Sequence, residues 1–404
     1  MGASRGPRRR RVPAALAAAA LAAAACESPV PFHRPGEGAP DAPVIAVGGA
    51  APGTLDPAAT PSPGAPRSAT ASGAATNVYA ATGPGMLAPG AAALPPRVYV
   101  PNAATGTVDV LDQTTARLLG RVRTGGAPSL VVPAWNLRRL WVYDLANGSA
   151  ATLSPRSARP GGTLRILRPG PPYFAPDGRE AYVLAGRHAR LDVRHPHTME
   201  PQASLRLPCA GAASADYSAD AASLVASCPA AGRLVRVAPA RRAVTATVRL
   251  PAGSRPGDVR LLPDGSAFLV ADSAKGGLWR IDATTLRPAG FIRTGPGARG
   301  LVLGRRAARV YVAGTDGTVS AVDLATHRAT RLWRTPSGHA PLPGGVSADG
   351  ATLWLSDPAA RTVHAVSTRT GRTLHTITVG GHPGPPLVYP QPARHSLGGP
   401  GLYR

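Results

Sequence analysis

From Arg97 onward, short apolar runs recur about every 42 residues, each followed by a polar turn and a second run. The first runs are Val98-Tyr99-Val100, Leu140-Trp141-Val142, Ala181-Tyr182-Val183, Ser223-Leu224-Val225, Phe268-Leu269-Val270, Val310-Tyr311-Val312 and Leu353-Trp354-Leu355. In the second runs, such as Gly277–Asp282 and Thr318–Asp323, apolar and polar residues alternate. Period-two alternation is the mark of a half-buried strand. A third run, as at Leu374–Val379, and a fourth, as at Leu301-Val302-Leu303, complete each unit. A strands-only repeat of this length predicts an all-β fold: a seven-bladed β-propeller with four antiparallel strands per blade.

The turn chemistry sets the phase of the ring. Asp177-Gly178, Asp264-Gly265 and Asp349-Gly350 link a fourth run to the next first run. Asp-Gly is a hairpin signal because both residues tolerate positive φ, so the two runs it joins share a blade. Val98 has no such partner upstream, and Pro386-Leu387-Val388-Tyr389 has no partner downstream. Pairing these two would make the C-terminal run the innermost strand of the first blade, closing the ring and removing exposed edges. The propeller is therefore expected over residues 97–390, with residues 391–404 as a C-terminal tail.

Ahead of the repeat the pattern changes. Arg5 and Arg8–Arg11 precede an apolar, alanine-rich stretch, Val12–Ala25. That is the layout of a secretory signal, too short for a permanent membrane span. Residues 1–25 are read as a signal peptide. Small residues followed by Cys26 resemble the lipobox of bacterial lipoproteins, in which the thiol is lipidated. Ala23 stands where the usual Leu would be, so cleavage at an Ala-x-Ala site is the alternative. Residues 26–96 are rich in Pro, Ala, Gly, Thr and Ser and lack sustained periodicity. Such a composition does not bury enough apolar surface to offset chain entropy, and the segment is expected to be a disordered tether. The reading places the protein outside the cytoplasm, either lipid-anchored on the outer face of the cell membrane or secreted.

Tyr99-Val100-Pro101-Asn102, Gly106–Asp112 and Thr124–Pro128, with Tyr311–Gly314 and Gly317–Asp323, resemble the YVTN-repeat family of β-propellers. The resemblance spans residues 97 to about 390. It implies an extracytoplasmic propeller, with quinoprotein-like dehydrogenases and lactonases among related folds. The family often carries Pro-His-Gly in the turn between blades. None of the turns here keeps it, and Arg299 falls at the His position.

Charge and chemistry add less. The formal net charge is +24, with Lys275 the only lysine. A GC-rich coding bias accounts for part of that, yet so basic a surface attracts anions. Nucleic acid is disfavoured by export. Gly295-Pro296-Gly297-Ala298-Arg299-Gly300 matches G-x-G-x-x-G but lies between two strands, where the dinucleotide fingerprint demands a helix. Cys209 and Cys228 sit in turns at one face of one blade, and a disulfide is expected in an oxidising compartment. Arg255, Asp258, Arg299, His339 and His382 fall in the inter-blade turns, at the mouth of the central channel, and are the candidate ligand contacts. No catalytic residue, metal site or cofactor is identified. The favoured function is a monomeric binding or scaffold module for an envelope protein or an anionic polymer or ligand. The alternatives are a quinoprotein- or lactonase-like enzyme acting at the channel mouth, and a self-associating surface protein.

Overall fold

The computed structural model describes Gly2 and residues 77–404. The expected signal peptide, Cys26 and residues 27–76 of the expected tether lie outside the described residues.

Seven four-stranded antiparallel sheets follow one another along the chain, so the fold is a seven-bladed β-propeller. Blade 1 is built from Leu387–Tyr389, Arg97–Asn102, Thr107–Asp112 and Leu118–Arg123, from the inside outward. Val98 pairs with Val388 and Tyr99 with Leu387, so the two ends of the repeat close the ring in one sheet. Blades 2 to 7 begin with the inner strands Leu130–Pro133, Pro172–Phe174, Ala215–Tyr217, Pro256–Leu261, Gly300–Leu303 and Leu342–Val346. The second strand of every blade is almost wholly buried, because both of its faces meet neighbouring blades. The outermost strands are largely exposed, as in Leu118–Arg123 and Arg328–Arg334.

The ring has two faces. On the upper face, the outermost strand of each blade turns into the innermost strand of the next, and the second strand turns into the third. The remaining hairpins lie on the lower face. The G-x-G-x-x-G segment is one of the upper turns, with Gly297 at φ +64° against the Thr315 side chain.

Two boundaries move from their expected places. Residues 77–96, assigned to the tether, form an ordered strap: a 3-10 turn at Ala80–Thr82 and one helical turn at Pro89–Ala92. Tyr79 is the reason. Its ring is buried, and its hydroxyl donates to the Leu261 carbonyl at 2.9 Å, with Asp216 Oδ2 at 3.3 Å. The strap lies on the lower face, where the Val78 amide donates to the Pro263 carbonyl and the Asn77 side chain to that of Arg306. Residues 391–404 are likewise not a free tail. They fold into a hairpin of Ser396–Gly398 and Leu402–Tyr403 that pairs with the inner strand of blade 3, Gly398 opposite Tyr173. Because that strand is innermost, the added hairpin lies inside the central channel. Arg404 fastens it: its guanidinium donates to Asp216 Oδ1 at 3.0 Å and to the Tyr217 carbonyl at 2.9 Å, over the Tyr79 ring.

Candidate anion-binding face

The upper turns are held by carboxylates at one repeating position, the last residue of the second strand. Asp144 accepts the Ala127 amide at 2.7 Å, Asp272 accepts the Arg255 amide at 3.0 Å, and Asp357 accepts the Ser337 hydroxyl. Each therefore ties the turn after its second strand to the incoming inter-blade turn. Burial alone would raise these carboxyls. The N–H and O–H donors around them outweigh it and hold all three below the ordinary aspartate value. For Asp272 those donors include the Trp279 indole at 2.8 Å.

Blade 4 has Cys228 at this position, and Cys209 occupies the turn that Ser337 occupies in blade 7. The two cysteines are joined as a disulfide, Cα atoms 6.3 Å apart. A covalent bond thus stands where Ser337 and Asp357 hydrogen-bond. Blades 1 and 3, which end the second strand in Asn102 and Ala185, use an aspartate in the third strand. Asp109 accepts the Gly380 amide at 2.9 Å, and Asp192 takes Arg168 Nε at 3.0 Å. In blade 6 Ser320 donates to the Thr294 carbonyl instead.

These contacts internalise the carboxylates of the upper face. Asp109, Asp144, Asp192, Asp272 and Asp357 are buried, and Asp258 and Asp316 are half-buried. The fully exposed carboxylates among the described residues, Asp177, Glu200, Asp220, Asp264 and Asp349, all sit in lower-face hairpins.

Exposed arginines occur on both faces, and on the upper face one set of them repeats from blade to blade. Six outermost strands end at the upper rim in an exposed arginine: Arg123, Arg165, Arg206, Arg249, Arg293 and Arg334. Blade 7 has Thr378 there. The register explains their exposure. In each case the residues on either side, such as Leu205 and Leu207 or Ile292 and Thr294, turn toward the sheet interior, and strand alternation points the arginine outward. Arg334 has Asp316 at 3.8 Å, a solvent-exposed pair of little energetic weight. Exposed Arg187, Arg255, Lys275 and Arg299 add charge to the same face.

Sequence reasoning placed its candidates on this face but missed the rim. The signal was present as an apolar residue followed by Arg just before the Gly/Pro turn of six units: Val122-Arg123, Leu164-Arg165, Leu205-Arg206, Val248-Arg249, Ile292-Arg293 and Trp333-Arg334. Of the five turn residues, Arg255, Arg299, His339 and His382 are exposed and Asp258 is half-buried. They do not form one cluster. Asp258 accepts the Leu301 amide at 3.0 Å and so bridges blades 5 and 6. The His339 Nδ1 lies 3.3 Å from Asp357 of its own blade. None of the five lines the cavity left in the central channel. Among the described residues, no group of three or more His, Cys, Asp or Glu side chains is placed to hold a metal. No described helix is long and apolar enough to cross a membrane.

Fold and surface together define a β-propeller with a cationic upper face. No family model and no curated protein matches the sequence. Solved structures share the fold. Apo AztD from Citrobacter koseri is similar with a TM-score of 0.53 and 14% identity, over 73% of this chain and 98% of that one. A functionally unknown protein from Desulfotomaculum acetoxidans is similar with a TM-score of 0.59 and 14% identity, over 72% and 98%. The dihydro-heme d1 dehydrogenase NirN is similar at 0.56 and 12%, over 72% and 75%. At these identities the likeness is one of architecture.

Proposed function

We propose that this protein is an extracytoplasmic binding module of the YVTN-repeat type, lipid-anchored through Cys26, whose upper face holds an anionic polymer of the cell envelope. One observation carries the reading: among the described residues, exposed carboxylates are confined to the lower face, while the upper rim carries an exposed arginine in six of seven blades. A coding bias toward arginine raises the number of cations without sorting the carboxylates by face. Arginine offers a planar fork of donors suited to phosphate and carboxylate. Cations spread around a circumference suit a polymer better than a compact ligand, because a chain engages several of them at once and gains avidity. The strap joins the ring on the lower face, opposite the rim. Export is supported by the arginine-then-apolar N-terminus and by the Cys209–Cys228 bond, of a kind that persists in oxidising compartments.

The test compares two variants of equal net charge. In one, Arg123, Arg165, Arg206, Arg249, Arg293 and Arg334 are changed to Gln. In the other, six exposed lower-face arginines are changed: Arg117, Arg138, Arg156, Arg241, Arg287 and Arg328. Long-chain polyphosphate should bind the wild type and the lower-face variant alike and lose at least tenfold in affinity for the rim variant. Equal losses in both variants would refute the assignment to the upper face. Anchoring has its own check: Cys26→Ser should move the protein from the membrane fraction to the soluble fraction, and continued membrane association would contradict lipidation.

A further inference from the structure

Each blade ends in a strand whose outer edge pairs with no other strand among the described residues. Such an edge is a template for another chain, and proteins blunt it with charge, Pro or a bulge. Blades 1 to 6 do so. Their outermost strands all carry arginine, and those of blades 2, 3 and 5 also begin with Pro160, Pro201 and Pro288. The outermost strand of blade 7, Thr373–Thr378, reads Thr-Leu-His-Thr-Ile-Thr and holds no Arg, Lys, Asp, Glu or Pro.

A bulge interrupts the lower end of this strand, and its extra residue is Leu374, which is 51% exposed. In blades 3 to 6 the extra residue is Gln202, Thr245, Ala289 or Thr330. From His375 to Thr378 the pairing is regular, and these residues are exposed apart from the half-buried Ile377. Exposed large apolar side chains also gather on this side of the ring. Among the described residues, those on outermost strands are Leu118, Leu119, Leu332 and Leu374. They belong to blade 7 and to the two blades beside it, 6 and 1.

We propose that Thr373–Thr378 is an interaction edge on which a second copy of this chain docks by strand pairing. The charge pattern selects a second copy as the occupant. In a two-fold contact the same patch meets itself, so the strand pairs antiparallel with its counterpart. The lower end of one strand then lies beside the upper end of the other. Blades 1, 2, 4, 5 and 6 have arginine at both ends, as with Arg117 and Arg123 in blade 1, and such a pairing would set arginine against arginine. Blade 3 has Pro201 in its edge. In blade 7 exposed Arg372 stands at the lower end, and the upper end is Thr378, where the other six blades have arginine. Arg372 therefore meets an uncharged end. Two chains of the same strong positive charge can join edge to edge at this blade without opposing cations. The copies lie head to tail, with their cationic faces turned in opposite directions.

The experiment is sedimentation equilibrium on the purified protein carrying Cys26→Ser, so that no lipid takes part. Its mean mass should climb toward twice that of the monomer between about 1 and 500 µM, the span of weak association. Adding Leu374→Arg and Thr378→Arg charges the edge, the second change placing arginine where six other blades already hold it. Dimerisation should weaken by roughly tenfold or more, because like charges are brought together. Adding Thr245→Arg and Thr247→Arg instead puts equal charge on the exposed outermost strand of blade 4, and should leave dimerisation unchanged. Raising the salt concentration should strengthen the dimer, since the contact is uncharged and the repulsion between whole chains is screened. A protein that stays monomeric throughout, a dimer that the blade 7 changes leave intact, equal weakening by both pairs of changes, or a dimer that salt dissolves would overturn the assignment.

Discussion

Cys228, Asp144, Asp272 and Asp357 end the second strand of their blades and perform one task by two chemistries. Each fixes the turn that arrives from the preceding blade. The disulfide closes a separation of 19 residues, and a loop of that size contributes about 3 kcal/mol in the chain-entropy account. The register makes a sharper test possible. A Cys209→Ser, Cys228→Asp double variant restores the side-chain pair found at Ser337 and Asp357, and should unfold at a higher denaturant midpoint than Cys209→Ala, Cys228→Ala. Asp272 accepts backbone amides and the Trp279 indole, so Asp272→Ala strands buried donors and should cost about 2–3 kcal/mol in denaturant unfolding. The carboxylates also set the acid limit. Asp144, Asp272 and Asp357 titrate below their unfolded value of about 4. The stability they add is therefore complete above that value and is lost as pH falls through the depressed values. Melting temperature should hold down to about pH 4 and then drop steeply, with a shallower drop in Asp272→Ala.

The strap and the hairpin show where elements escaped the sequence. The blades were legible because alternation and Asp-Gly turns repeat, and a repeated error of phase would have left Val98 and Val388 unpaired. Residues 77–96 and 391–404 have no period to detect. Single side chains hold them in place: Tyr79, Leu397, Leu402, Tyr403 and Arg404. At Asn77-Val78-Tyr79 the chain docks as a turn, in which Asn77 Oδ1 accepts the Tyr79 amide at 2.8 Å. The two segments meet at Asp216, whose buried carboxylate accepts the Leu261 amide at 2.8 Å and the Arg404 guanidinium. Arg404→Ala leaves that charge without its cation and should destabilise the protein by about 3 kcal/mol. Calorimetry checks it, together with faster hydrogen exchange in the C-terminal hairpin and at Val78–Thr82. Unchanged exchange in both segments would show that they are held independently.

For the molecule as a whole, the propeller geometry converts a one-dimensional pattern into a sorted surface. An arginine at the same place in six repeats becomes a circle, and aspartates at the strand ends become internal struts. Net charge was visible in the composition, but its placement was not, because sequence alone does not say which turns share a face until the phase of the blades is known. The five turn residues chosen from the sequence do lie on that face. Asp258 links blades 5 and 6 through the Leu301 amide and His339 contacts Asp357 within its own blade, while the rim residues form the repeating set.

The decisive measurement is the salt dependence of polyphosphate binding for the wild type, the rim variant and the equally charged lower-face variant. Each phosphate contact contributes about 0.7 to the slope of log affinity against log salt for a single-stranded polyanion. Losing four or more contacts should therefore flatten the slope of the rim variant by about 3, with the lower-face variant following the wild type. If both variants flatten equally, binding follows total charge, and the upper face has no special part in it.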